Sequence, residues 1–323
     1  MQYRVFGSTG FRASEIGLGT WQFGGDWGSI SEQNAQSILN AAVDNGINFF
    51  DTADVYGGGR SESIIGSVFG NRKDLFIATK LGRLEGFPDG YSLELFRRCI
   101  ENSLKRLGRD AIDLIQLHCI PSKYLENGEA FEWLRILRKE GKIRFFGASV
   151  ETIDEALTCI KQDDLSSLQI IFNIFRQKPS SFFKEAAAKK VALIIRLPLA
   201  SGLLSGKFTK DTKFAESDHR NYNRDGNAFN VGETFSGIKF EYGVELSEQI
   251  KPLVPQSMNM AQFALRWILD HPEVSTIIPG ASRIDQVSKN ALASSLPPLG
   301  DELHSKLDHF YKTKVEGYIR GKV

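Results

Sequence analysis

The feature that most constrains this chain is a rhythm: eight short apolar runs, each followed by a stretch with helical spacing. The runs occupy positions 15–18, 47–50, 75–79, 112–117, 143–148, 168–172, 191–197 and 275–278. Each is largely apolar on successive positions rather than on alternate ones, which is the pattern of a parallel strand buried on both faces. Helical periodicity fills the gaps at 33–44, 61–69, 93–107, 130–140, 152–160, 180–190, 261–269 and 287–293. The first four of these stop at Asn45-Gly46, Gly70, Gly108 and Gly141, residues suited to a helix C-terminus. Thr152 with Glu155, and Ser282 with Asp285, have capping-box spacing at helix starts.

Strands and helices in this order predict an α/β fold. Eight repeats in 323 residues favour closure into a (β/α)8 TIM-type barrel over an open sheet. Ahead of it, 3–6 and 11–14 read as an N-terminal hairpin turning through 7–10. The rhythm breaks once, between strands seven and eight. There 208–243 is polar and rich in Gly and Asn, and a loop of that length inside a domain is commonly a lid or binding loop. No linker interrupts the rhythm, so 1–323 is expected to form one barrel domain, self-sufficient as a monomer.

Composition narrows the function classes. A formal net charge of +1 gives no reason to expect a nucleic-acid or anionic-membrane partner. No apolar run approaches a membrane span, and the start lacks the pattern of a secretory signal, so the expected compartment is the cytoplasm. Cys99, Cys119 and Cys159 show no CxxC spacing, which argues against a disulfide framework or a zinc site. Cys119 follows a candidate site residue, which makes it the one thiol with a prospect of reactivity.

In such a barrel the reacting groups sit at the C-terminal ends of the strands. By that rule Asp51 ends the second strand, Lys80 the third and His118 the fourth, with Tyr56 in the loop after Asp51. Taken singly, each has a plainer reading: a structural ion pair, a loop aromatic, a polar strand end. Together they place a carboxylate, an ammonium, an imidazole and a phenol at one side of the mouth. A free phenol has a pKa of about 10 and is a poor acid near neutral pH, but a neighbouring ammonium lowers that value. With the imidazole donating to a carbonyl oxygen, the set suits proton delivery to an oxygen gaining negative charge during hydride reduction.

Phosphate handling is expected elsewhere on the mouth. Pro279-Gly280-Ala281-Ser282-Arg283 follows strand eight and opens a helix, a ready anion site. After strand seven, 199–207 is rich in small residues and ends on Lys207. Each loop alone is a weak signal with turn geometry as the alternative. No GxGxxG follows a strand, which disfavours a Rossmann site.

These residues resemble the aldo-keto reductase family. Asp51-Thr52-Ala53-Asp54-Val55-Tyr56-Gly57 is similar to its tyrosine signature, Ala78-Thr79-Lys80 to its lysine strand and Leu114-Ile115-Gln116-Leu117-His118 to its histidine strand. The resemblance implies reduction of aldehydes or ketones with NADPH, NADH being possible. It implies Tyr56 as the proton donor, Lys80 lowering its pKa, Asp51 pairing with Lys80, and His118 orienting the carbonyl. By the same resemblance Gly19, Thr20 and Trp21 lie near the nicotinamide, and Ser149 and Gln169 hold its carboxamide. Pro198, Leu199, Ser201 and Lys207 line the pyrophosphate. Gly280, Ser282, Gln286 and Asn290 meet the adenosine end, and Arg283 takes the 2′-phosphate. Two positions depart from the family pattern. Val150 stands where Asn is common. Arg196 stands where an aromatic residue often stacks on the nicotinamide, and its charge is expected to favour release of the oxidised cofactor. Three other readings stay open: a sugar or alcohol dehydrogenase running in reverse, a cofactor-sensing regulatory subunit like the potassium-channel β subunits, and a phosphosugar isomerase barrel.

Overall fold

The computed structural model describes residues 1–323. Two strands, β1 (Tyr3–Val5) and β2 (Arg12–Ser14), form an antiparallel hairpin. Eight parallel strands follow: β3 (Leu18–Gly19), β4 (Phe49–Asp51), β5 (Phe76–Leu81), β6 (Ile112–His118), β7 (Ile143–Ser149), β8 (Ser167–Ile171), β9 (Ala192–Arg196) and β10 (Val274–Ile277). They pair in sequence order from β3 to β10. Closure comes from parallel bridges between Ile16 and Ile277 and between Gly19 and Gly280, with Gly17 N donating to Ile277 O at 2.8 Å. The expected eight-stranded barrel with its hairpin is therefore the observed one.

Twelve helices accompany the sheet. They are α1 (Glu32–Asp44), α2 (Arg60–Phe69), α3 (Leu93–Leu107), α4 (Ser122–Glu126), α5 (Glu129–Lys139), α6 (Ile153–Ile160), α7 (Phe183–Ala188), α8 (His219–Tyr222), α9 (Phe240–Ile250), α10 (Met260–Leu269), α11 (Ile284–Leu292) and α12 (Asp301–Phe310). No helix is long and apolar enough to cross a membrane. The helix expected at 180–190 is split, because Pro179 opens a tight 3₁₀ turn over Lys178–Phe182 and leaves α7 short. The cap of α11 also differs. Its N-cap is Arg283 rather than Ser282, and Gln286 rather than Asp285 reaches back, accepting from Ser282 N at 2.8 Å and Arg283 N at 3.2 Å.

Side chains two apart on a strand share a face, and this explains how the barrel interior is layered. Phe49, Phe76, Leu114 and Ile194 form an apolar inner floor with Phe6 of the hairpin, whose ring lies 5.1 Å from that of Phe49. The hairpin thus plugs the N-terminal end. Two or four residues further along the same strands, the inner face turns polar with Asp51, Lys80, Gln116, His118 and Arg196, and β8 adds Gln169 at the same end. The opposite strand faces carry Phe50, Ile77, Ile115 and Leu168 into the larger core beneath the helices.

Helices α2 and α3 meet at Gly66, where a Cβ would lie 2.0 Å from the backbone oxygen of Arg106. Alanine is favoured over glycine within a helix by about 1 kcal/mol, but a backbone clash of this kind typically costs more. Gly66→Ala is expected to destabilise the protein by about 2 kcal/mol in urea unfolding; a neutral or stabilising effect would contradict the close approach of the two helices.

Candidate active site

Lys80 is 1% exposed, and each proton of its ammonium has an acceptor. Nζ donates to Asp51 Oδ1 at 2.5 Å, to Thr52 O at 2.8 Å and to the Tyr56 hydroxyl at 3.2 Å. Because the phenol oxygen accepts from Lys80, its own proton is free to point elsewhere. Asp51 Oδ2 accepts from Gln116 Nε2 at 3.1 Å and Gln169 Nε2 at 2.8 Å. The carboxylate is thus fixed from both sides. The His118 ring stands edge-on to Tyr56 with centroids 6.0 Å apart, and its buried Nδ1 has no hydrogen-bond partner.

Electrostatics refine what the residue types imply. Burial works against the charged form of Lys80, but Asp51 and Tyr56 more than offset it and hold the ammonium above its ordinary pKa. Burial, joined by the charges of Arg83, Lys80 and Arg196, keeps the His118 imidazole well below its ordinary value and therefore neutral near pH 7. For Tyr56 the expected direction is reversed. Lys80 does lower the phenol, but burial raises it by more, so the resting side chain is a protonated phenol. Burial also pushes the Cys119 thiol up, despite the nearby guanidinium groups of Arg83 and Arg196. The reactive-thiol expectation is not supported, because the thiolate is the nucleophilic form.

One groove runs across the mouth. Its lining includes Gly19, Thr20, Trp21, Asp51, Tyr56, His118, Gln169, Arg196, Pro198, Leu199, Ser201, Lys207, Gly280, Ser282, Arg283 and Gln286. Of the sequence-derived positions, Lys80, Ser149 and Asn290 lie outside this lining. Lys80 is beneath Tyr56, Ser149 Oγ faces Cys119 Sγ at 3.7 Å, and Asn290 is buried on α11. Several groove residues carry structural contacts as well. Thr20 Oγ1 donates to Asp51 O at 2.9 Å. Ser201 Oγ donates to Glu233 O at 3.3 Å and accepts from Phe235 N at 3.0 Å. Arg283 Nε pairs with Asp285 at 2.9 Å. Arg196 lies 3.6 Å from Glu233, so the charge expected near the nicotinamide belongs to an ion pair.

A second cavity of ≈ 860 Å³ adjoins the groove and shares Trp21, Tyr56, His118 and Glu233 with it. Much of its cover comes from the 208–243 segment, which is folded onto the mouth. His219 is fully buried between Trp21 and Trp27, at ring distances of 4.6 and 4.3 Å, and Tyr222 donates to Asp26 Oδ1 at 3.0 Å. The Arg220 guanidinium stacks over Trp27 at 4.8 Å. Glu233 on this segment lies 3.0 Å from Arg83, which also pairs with Glu151 at 2.5 Å. Sequence reasoning missed Arg83, Gln116, Glu151 and Glu233. Gln116 was findable, since it lies two residues before His118 on the same strand face. Nothing local marks Glu233 as a neighbour of Arg83, 150 positions earlier.

Comparison with known proteins agrees with this geometry. The profile described as "Aldo/keto reductase family" matches residues 15–312. The chain belongs to that family. It is 33% identical to aldo-keto reductase YhdN of Bacillus subtilis over 302 residues, 89% of this chain and 87% of that protein. It is 30% identical to a probable voltage-gated potassium channel subunit beta of Arabidopsis thaliana, covering 100% of this chain and 98% of the other. Among solved structures, the glycerol dehydrogenase AKR11B4 of Gluconobacter oxydans superposes with a TM-score of 0.77 at 27% identity, covering 99% and 98% of the two chains. This aldo/keto reductase is accordingly an oxidoreductase with the family's barrel.

Asp54, within the tyrosine signature, carries a further consequence. It is 2% exposed, and burial, reinforced by the charge of Glu62, raises its carboxyl to about 7. The native state therefore retains this proton at pH values where the unfolded chain, with an ordinary aspartate pKa, has lost it. Stability should fall as pH rises from about 4 to 7 and level off above, by roughly 4 kcal/mol from this group alone. In urea unfolding, the stability of Asp54→Asn relative to wild type should grow across that window; a difference independent of pH would contradict the buried acid.

Proposed function

We propose that the protein reduces aldehydes or ketones to alcohols, with NADPH as the hydride donor and Tyr56 as the proton donor. The observation that carries this reading is the meeting of the elongated groove and the second cavity at Tyr56 and His118. A cofactor in the groove and a carbonyl compound in the cavity would both reach these two side chains.

The groove suits a phosphorylated dinucleotide. Lys207, Arg220 and Arg283 supply cations along it, and a Cβ at Gly19 would lie only 2.8 Å from Ile278 O, so the floor there is held flat. NADPH, when bound, supplies the hydride. Trp21, Arg196 and Gln169 would border its nicotinamide end, with Ser149 placed behind them. Pro198, Leu199, Ser201 and Lys207 would border the pyrophosphate, and Gly280, Ser282, Gln286 and Asn290 the adenosine end. Arg283 would exchange its exposed pair with Asp285 for the 2′-phosphate, where a guanidinium can bind two oxygens at once. Arg283→Ala is therefore expected to weaken NADPH binding tenfold or more in fluorescence titration while changing NADH binding little; equal effects on both would remove the assignment.

The remaining roles follow from the proton inventory. Neutral His118 donates a hydrogen bond to the carbonyl oxygen without competing as a base. Tyr56, protonated at rest, gives its proton as negative charge develops on that oxygen, and the Lys80 ammonium stabilises the phenolate left behind. Asp51, held by Gln116 and Gln169, keeps Lys80 charged and aimed. The same residues serve the reverse reaction, so alcohol oxidation belongs to the same machinery, and the likeness to a glycerol dehydrogenase fits that direction.

Tyr56→Phe provides the test. Turnover of an aldehyde panel should drop by 10²-fold or more, with NADPH affinity retained. Binding without turnover in the wild type would favour a cofactor-sensing role. Undiminished turnover in Tyr56→Phe would place the proton donor elsewhere.

A further inference from the structure

The 208–243 segment is held on the mouth from two sides, and only the inner side belongs to the site described above. The segment lines groove and cavity alike, with Phe208, Arg220 and Glu233 at the groove and Tyr222, Phe229 and Asn230 at the cavity. Its outer side is gripped by the end of the chain. Arg320 Nε donates to Gly237 O at 2.9 Å, Nη2 to Arg224 O at 2.9 Å and Nη1 to Asp225 Oδ1 at 2.5 Å, and the Arg320 backbone N–H also reaches Gly237 O at 3.1 Å. Gly237 has a φ of 84°, and a Cβ there would run into Arg320 O. The Tyr318 ring adds a contact with Tyr242 at 4.5 Å. Two residues beyond Arg320 the chain is tied to the barrel: Lys322 O accepts from Arg176 Nη2 at 2.8 Å, in the loop after β8.

The two attachments differ in strength. Arg176 is 1% exposed, its Nε and Nη1 have no partner, and without Lys322 O its guanidinium would keep only Glu151 O at 3.4 Å. Stranding a buried cation in that way is costly, so the tail stays on the barrel. The grip of Arg320 on the segment is looser. Its ion pair with Asp225 is open to water, and pairs of that kind contribute little. The tail thus has a firm end on Arg176 and a releasable end on Arg224, Asp225 and Gly237. We propose that residues 318–323 form a latch that holds the 208–243 segment shut over the mouth, with Arg320 as its releasable grip. Release of this grip frees the segment for cofactor entry and exit, a consequence that rests on the reductase reading above. The flat fork of the guanidinium serves several acceptors at once, which an ammonium reproduces poorly.

The experiment measures backbone hydrogen exchange in the full chain without cofactor, comparing wild type with Arg320→Ala and Arg320→Lys. In Arg320→Ala, amides within 219–237 should exchange about tenfold faster or more, while those of β5, β6 and β7 keep their wild-type rates. Arg320→Lys should fall between the two. Stopped-flow fluorescence then gives the rate of NADPH release, which should rise about fivefold or more in Arg320→Ala. Unchanged exchange in 219–237 would overturn the latch. A rise spread evenly over the barrel strands would also overturn it, by showing that Arg320 supports the whole fold. Faster exchange with an unchanged release rate would overturn the link to cofactor passage. Absence of NADPH binding in wild type would overturn the reductase reading and that link with it, and the exchange data would still decide the latch.

Discussion

The site depends on one buried ammonium. Lys80 projects into the barrel from β5 with almost no exposure, and a charge placed there is tolerable only if every proton is matched. Asp51, Thr52 and Tyr56 supply the three acceptors. Satisfying the lysine fixes the phenol oxygen as an acceptor, and that in turn frees the phenol proton. Gln116 and Gln169 fix the far oxygen of Asp51. Removing any member leaves a polar atom stranded in the interior, so structural and chemical demands converge on the same side chains.

The barrel makes this arrangement affordable by separating its two ends. The hairpin and the floor phenylalanines close the N-terminal end with apolar packing. The polar inner positions collect at the opposite end, where the groove and cavity open. Burial has two effects at that end: it keeps His118 neutral and raises Tyr56. The phenol therefore holds its proton at rest, and under the proposed function it would give that proton to a nearby oxygen gaining negative charge, with Lys80 stabilising the anion left behind.

Much of this was legible in the sequence because it follows from periodicity. Apolar runs marked all eight barrel strands, and the ends of three of them located Asp51, Lys80 and His118. The two-residue repeat would also have found Gln116. The direction of the Tyr56 shift was not legible, since the depth of burial depends on packing from several strands at once. The Arg83–Glu151–Glu233 network was hidden for a different reason. Its members come from separate loops and are joined by the folding of 208–243 onto Trp21 and Trp27, which composition marks only as a long polar segment. At α11 the spacing of Ser282 and Asp285 pointed to a cap, but the longer side chain of Gln286 reaches the free backbone N–H groups instead.

The central claim is that the Lys80 ammonium stabilises the phenolate formed as Tyr56 gives up its proton. The most direct measurement is single-turnover decay of NADPH absorbance with saturating aldehyde in Lys80→Met, after NADPH binding to the variant has been established by fluorescence. The account predicts a hydride-transfer rate at least 10²-fold below wild type with cofactor binding preserved. A single-turnover rate close to that of wild type would contradict it.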